Sequence, residues 1–188
     1  MKERNILLIV ANTARSQGYT QALLRAGYKF KHTIIINKPF GIALGQMNQI
    51  EKKSQQGADG DDLFYPDFSI PLNISIGELS EQQTIIDSGS VNDEGVIEII
   101  KSMNLDLVIY SGFGGEVVSS KVLDIGPRLL HIHSGYLPEY RGSTTIYYSL
   151  IQEKRCGVSA ILLKNEIDTG EIVKRIWYKA PPAGIDID

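Results

Sequence analysis

Residues 5–12, NILLIVAN, form a nearly continuous apolar run. It lacks the alternation of a half-exposed strand, and its length and branching suit a strand buried on both faces. A charged start followed by ILLIV superficially resembles a secretory leader. The apolar core is too short, though, and no small-residue cleavage site follows it. A strand buried on both faces belongs inside a parallel sheet covered by helices on each side, and the chain beyond it reads that way.

SQGYTQALLRAGY (16–28) places Tyr19, Ala22, Leu23 and Ala26 at helical spacing, with Gly27 as a stop, and HTIIIN (32–37) supplies a second β-branched strand. IALGQMNQIEKK (42–53) predicts a short helix and SQQGADGDDLFYPDF (54–68) a polar, turn-rich loop. The acidic cluster in that loop lacks the glycine and terminal glutamate offsets of a calcium loop. SVNDEGVIEIIKSMN (90–104) predicts a helix capped by Ser90 or Asn92, with Val96, Ile99, Ile100 and Met103 facing inward. Strands follow at LDLVIYSG, RLLHIH, GVSAILL and EIVKRIWYKA, separated by short helices at EVVSSKVLDIG and STTIYYSLIQEK. Strand and helix alternate without repeat or low-complexity linker. The expectation is one α/β domain over residues 1–188: a Rossmann-like, open, mostly parallel sheet with helices on both faces and right-handed crossovers.

The totals narrow the function classes. With 188 residues and a net charge of -3 the chain lacks the basic excess of a dedicated nucleic-acid binder. No segment approaches the ~18 apolar residues that a membrane-spanning helix requires. Cys156 is the single cysteine, which excludes an internal disulfide and a cysteine-based metal site and suits a reducing, cytoplasmic setting. Lying before VSAILL, it reads as a buried thiol.

In open α/β sheets ligands bind at the carboxyl ends of strands, so those ends hold the candidate sites. SGFGGE (111–116) does not have the spacing of a phosphate-binding glycine loop. It suits either a flexible strand-to-helix turn or close approach of backbone to a flat ligand. At the end of RLLHIH, alternation puts His131 and His133 on one face and Ile132 on the other. Such a pair suits acid–base work, a metal, or core packing; for a metal, no nearby histidine or cysteine offers further ligands. The polar loop beyond it, with Pro138, Arg141 and Gly142, favours a site. NEIDTGEIV (165–173) reads as a tight turn in which Gly170 supplies positive φ. If its first strand pairs beside the histidine strand, Asp168 lies over the same cleft.

HIHSGYLPEYRGS followed by NEIDTGEIV resembles the formyltransferase family that uses 10-formyltetrahydrofolate, whose members act on glycinamide ribonucleotide, methionyl-tRNA and amino sugars. The family pattern is Asn-x-His, then Leu-Pro-x-aromatic-Arg/Lys-Gly, then an aspartate in an Asp-x-Gly turn. His133 and Asp168 match its catalytic histidine and aspartate; Leu137, Pro138, Tyr140, Arg141 and Gly142 match the middle element. His131 stands where the family has asparagine, Ser134 where many members have proline, and Gly114 and Gly115 where the folate-side wall is usually bulkier. The sequence reaches Asp188 without the closing helix or tRNA-binding barrel that the resemblance would lead one to expect.

The resemblance implies formyl transfer from 10-formyltetrahydrofolate to an amine; the acidic charge balance, the lack of a long apolar segment and the lack of a tRNA-binding barrel lead to the expectation of a small-molecule acceptor, without nucleic acid or membrane as partner. It assigns catalysis to His133, Asp168 and His131, with His133 stabilising the oxyanion and His131 helping from the asparagine position. Asp168 orients His133 and relays the amine proton. Phe113, Gly114, Gly115, Glu116, Val117 and Ile167 are expected to face the folate, and Ser134, Gly135 and Arg141 the acceptor. For Arg141 the alternative is a structural tie for the loop that positions His133. Two other outcomes share these residues: hydrolysis of the same folate, and a silent binding module arising from the histidine at 131.

Overall fold

A computed structural model of the chain describes residues 5–38 and 64–181. The first apolar run becomes β1 (Ile6–Ala11), and helix α1 (Ala14–Arg25) follows it after Thr13, whose side chain accepts the Ser16 N–H. Gly27 ends α1 in the left-handed region, at φ 76°, where the missing Cβ removes the strain. Next come β2 (Phe30–Ile36), α2 (Leu72–Leu79), β3 (Ser80–Ile86), α3 (Glu94–Ser102), β4 (Leu107–Ser111) and α4 (Ser120–Leu123). The chain continues through β5 (Arg128–His133), α5 (Thr145–Glu153), β6 (Arg155–Leu162) and β7 (Glu171–Lys179).

These strands form one seven-stranded sheet in the order β3-β2-β1-β4-β5-β6-β7. The five strands from β3 to β5 are parallel, and β6 and β7 add as antiparallel neighbours. This is the expected open, mostly parallel sheet. The order reverses at β1, which pairs with β2 on one side and β4 on the other, so the ligand crevice is expected beside β1 and β4.

Helices cover both faces. Leu7 and Ile9 of β1 pack with Val96, Ile97 and Ile100 of α3 and Val122 of α4, while Leu8 and Val10 pack with Leu72, Ile76 and Leu79 of α2. Leu7, Leu8, Ile9 and Val10 are all fully buried, which is why NILLIVAN shows no alternation. Each such side chain contributes about 1.5–3 kcal/mol by leaving water.

Several local expectations change. The cap of α3 is Asp93, whose carboxylate accepts the Gly95 N–H at 2.8 Å, and Met103 lies just past the helix. Helix α1 buries Ser16, Gln17 and Thr20, leaving Ala22 and Ala26 exposed. Its inner face is polar because Ser16 Oγ meets Ser111 Oγ (3.0 Å) at the end of β4. The helix expected over 42–53 and most of the loop over 54–68 fall outside the described residues. Cys156 is buried, and burial pushes its thiol above the ordinary range, as an unreactive structural cysteine requires.

Candidate active site

A cavity of about 340 Å³ opens at the carboxyl ends of β4 and β5, within the size range of small-molecule sites. Three segments build it: the glycine-rich turn after β4, the loop after β5, and the turn between β6 and β7. His131, His133 and Asp168 all line it. Because β6 pairs antiparallel with β5, with His133 opposite Ser159, the turn leaving β6 returns over the histidine end of β5.

His133 is 5% exposed, and each of its ring nitrogens faces an oxygen. Nε2 donates to the Tyr140 carbonyl at 2.7 Å, and Nδ1 lies 3.5 Å from Asp168 Oδ1. Asp168 Oδ2 accepts the Gly142 N–H at 2.7 Å, so this carboxylate joins the histidine to the loop that follows it. Asp168 itself adopts the left-handed conformation, with φ 55°. Gly170 is needed for a different reason from the one expected: a Cβ there would strike the Leu162 carbonyl oxygen.

The 134–144 loop is held from below. Ser159 Oγ donates to the Gly135 carbonyl (2.7 Å) and accepts the Leu137 N–H (3.0 Å). Thr145 Oγ1 donates to the Ser134 carbonyl. Arg175 on β7 donates to the Leu137 carbonyl and lies over the Tyr136 ring, and Trp177 stacks on the same ring with centroids 4.4 Å apart. The loop's tie is therefore Arg175, whereas Arg141 is exposed, makes no contact of this kind among the described residues and does not line the cavity.

His131 has a different environment. Its Nδ1 lies 3.1 Å from the Tyr110 carbonyl oxygen, which can only accept, so Nδ1 carries the hydrogen. Burial pushes the imidazole below its ordinary pKa, Arg15 and His133 push the same way, and the Tyr110 carbonyl and Asp168 oppose them. At neutral pH the ring is uncharged.

The residues expected to face a folate, Phe113, Gly114, Gly115, Glu116, Val117 and Ile167, all line the cavity. Their roles differ. Val117 and Ile167 are exposed apolar groups, at 50% and 59%, available to a flat ring. Glu116 is a strut: one oxygen accepts the Tyr110 hydroxyl (2.6 Å) and the other the Val91 N–H (2.9 Å). Phe113 is a core residue, with the Lys38 ammonium 4.5 Å above its ring. Ser134 lines the cavity but Gly135 does not. A Cβ at Gly135 would collide with the Tyr140 carbonyl and lie 2.6 Å from His133 Nε2, so glycine there lets the histidine meet its acceptor.

Sequence reasoning missed Arg15, Ser143, Thr144 and the 164–166 stretch, which also line the cavity. Arg15, at the start of α1, has no ion-pair partner among the described residues. It comes from a segment far from the motifs, and only the switch in strand order brings it here. No group of three or more His, Cys, Asp or Glu side chains among the described residues is placed to hold a metal ion. No helix among them is long and apolar enough to cross a membrane.

Comparison with known proteins gives a consistent result. A family model described as formyl transferase matches residues 47–180. The methionyl-tRNA formyltransferase of Sulfurovum sp. (strain NBC37-1) is 32% identical over 98 residues, covering 52% of this chain and 32% of that protein. That of Finegoldia magna is 32% identical over 91 residues, covering 47% and 29%. The chain thus spans about a third of the length of these curated relatives. Phosphoribosylglycinamide formyltransferase from Streptococcus pneumoniae TIGR4 superposes with a TM-score of 0.60 at 16% identity, over 98% of this chain and 86% of that one. A sugar N-formyltransferase from Shewanella sp FDAARGOS_354 gives 0.53 at 20% identity, over 92% and 56%. These two structures share the fold.

Proposed function

Because the chain belongs to the formyl transferase family, we propose that it moves a formyl group from 10-formyltetrahydrofolate to the amine of a small molecule. The observation that carries this reading is the buried His133–Asp168 pair at the cavity, with Asp168 fixed in turn by the Gly142 N–H. The cavity suits such a donor, since Gly114 and Gly115 leave one edge free of side chains and Val117 and Ile167 offer apolar surface. When bound, the donor supplies an activated formyl carbon on nitrogen.

The chain's own residues do the rest. An acceptor amine bound in the cavity would meet the formyl carbon beside His133. Nε2 already donates to the Tyr140 carbonyl, so Nδ1 carries a hydrogen only in the doubly protonated ring; in that form the Nδ1–H, loosely placed 3.5 Å from Asp168, is the donor available to a developing oxyanion. Asp168 sets the ring's orientation and stabilises its charge when it is protonated. One preorganised donor of this kind contributes ~3 kcal/mol to lowering a barrier. Arg15, which lines the cavity and has no ion-pair partner among the described residues, offers a contact for an anionic group on the acceptor.

The test is incubation with 10-formyltetrahydrofolate and an amine panel that includes nucleotide-linked amino sugars, amino acid derivatives and methionyl-tRNA, following tetrahydrofolate release. Amine-dependent release is the expected result. Formate release without amine would make the protein a hydrolase, and binding without turnover would make it a silent homologue; either outcome refutes the proposal.

A further inference from the structure

We infer that His131 is a proton acceptor in the site: its Nε2 takes the proton that the substrate amine gives up as it is formylated. This rests on the formyl-transfer reading above and assigns position 131 a role opposite to that of a hydrogen-bond donor to the oxyanion.

The geometry is specific. A carbonyl oxygen accepts and never donates, so the 3.1 Å contact with Tyr110 fixes the hydrogen of a neutral ring on Nδ1. Neutral imidazole has one N–H, and Nε2 is left with its lone pair. That atom has no hydrogen-bond partner among the described residues, and the ring lines the cavity. The lock is itself rigid, because Tyr110 is a buried strand residue whose hydroxyl is held by Glu116. Presenting an N–H at Nε2 would require the doubly protonated ring. The charged and titratable groups around it are Arg15 from α1, Tyr110 on β4 with its ring centroid 6.0 Å away and burial keeping its hydroxyl protonated, His133 on the same strand and Asp168 from the β6–β7 turn. Burial, Arg15 and His133 all disfavour the cation, and only Asp168 and the Tyr110 carbonyl favour it. An unprotonated imidazole at neutral pH is the form a general base needs.

The two histidines of one strand face therefore divide the chemistry. His133 meets oxygens with both nitrogens and acts as an N–H donor, while His131 offers a lone pair. In the transfer step the amine nitrogen bonds to the formyl carbon and the bond from that carbon to the donor nitrogen breaks. His131 Nε2 removes the amine proton and delivers it to the departing nitrogen, ending unprotonated as it began. Asparagine at this position offers an N–H that His131 in this state lacks.

Two measurements on the intact protein test this. With only three histidines, ¹⁵N-histidine labelling and two-bond ¹H–¹⁵N spectra, assigned with H32Q, H131N and H133N, report which nitrogen carries each proton. At pH 7 His131 is expected as the Nδ1–H tautomer; a protonated Nε2 overturns the inference. Next, transfer from 10-formyltetrahydrofolate to whichever panel amine turns over is measured against pH. Wild type should lose rate as His131 protonates, at a pH below the ordinary imidazole value of about 6.5 because burial depresses this ring. H131N should be slower by about a hundredfold, lack that acid limb, and recover partly with added imidazole, as for a lost general base. An H131N enzyme of equal rate with the same acid limb refutes the base role while leaving formyl transfer intact. If wild type turns over no amine, the transfer reading fails and the base role fails with it, whatever tautomer the spectra show.

Discussion

Replacing Gly135 with alanine tests how the loop after β5 serves His133. The added Cβ would collide with the Tyr140 carbonyl oxygen and lie 2.6 Å from His133 Nε2 and 2.8 Å from Thr145 Oγ1. None of these is the free end of a flexible side chain. The Tyr140 carbonyl must retreat, and His133 then loses the 2.7 Å acceptor of its Nε2 hydrogen. Leaving a buried donor unpaired costs about 1–3 kcal/mol, and overpacking adds a comparable amount, ~1–3 kcal/mol. Because one relaxation relieves both, about 2–4 kcal/mol is expected in total, or roughly 5–12 °C in melting temperature for a domain of this size. A displacement of His133 approaching 1 Å lowers kcat by about a hundredfold. Thermal unfolding and steady-state formyl transfer read both effects. If Gly135 instead formed part of the acceptor surface, KM would rise while the melting temperature stayed at the wild-type value. That pattern, or a variant unchanged in every respect, refutes the reasoning.

Ser159→Ala removes two hydrogen bonds beneath the same loop and should lower stability by about 1–3 kcal/mol, seen in urea unfolding, with turnover falling alongside. Asp168→Asn keeps an oxygen for the Gly142 N–H but removes the charge facing His133; a folded protein with kcat down by about a hundredfold is expected from stopped assays. Stability should also depend on pH through His131. Its folded-state pKa is depressed, so between that value and the unfolded value of about 6.5 the unfolded chain binds more protons, and stability falls as pH drops through this window. Urea midpoints compared across pH 5–8 should show a steeper slope in wild type than in H131N, which keeps the part due to His32, whose imidazole burial also holds below its ordinary value.

The sheet was legible wherever burial was complete. ILLIV in β1, TIII in β2, LVIY in β4 and SAIL in β6 are buried or nearly so, and those runs stand out in the sequence. β3 did not stand out: SEQQTII sits at the sheet edge with mostly exposed side chains, and no apolar period marks it. α2 escaped because LNISIGEL spans only two turns beside a proline. At the site, strand alternation alone placed His131 and His133 on one face, and the expected pairing of the next strand beside theirs placed Asp168 over the same cleft. What the sequence could not carry was which oxygen each nitrogen meets. The Tyr110 carbonyl that sets the state of His131 is a backbone atom of the neighbouring strand, and any residue at 110 would offer one. The support from Arg175 and Trp177 was equally hidden, because alternation in EIVKRIWYKA marks a strand but not which of its faces grips the 134–144 loop.

The most direct measurement is transfer of a ¹³C-formyl label from 10-formyltetrahydrofolate in the presence of the amine panel, followed by ¹³C NMR for wild type and His133→Ala. The account predicts an N-formyl product with wild type and at least about a hundredfold slower appearance with the variant, the worth of one preorganised donor. Label recovered only as formate, or equal N-formylation by both proteins, would contradict it.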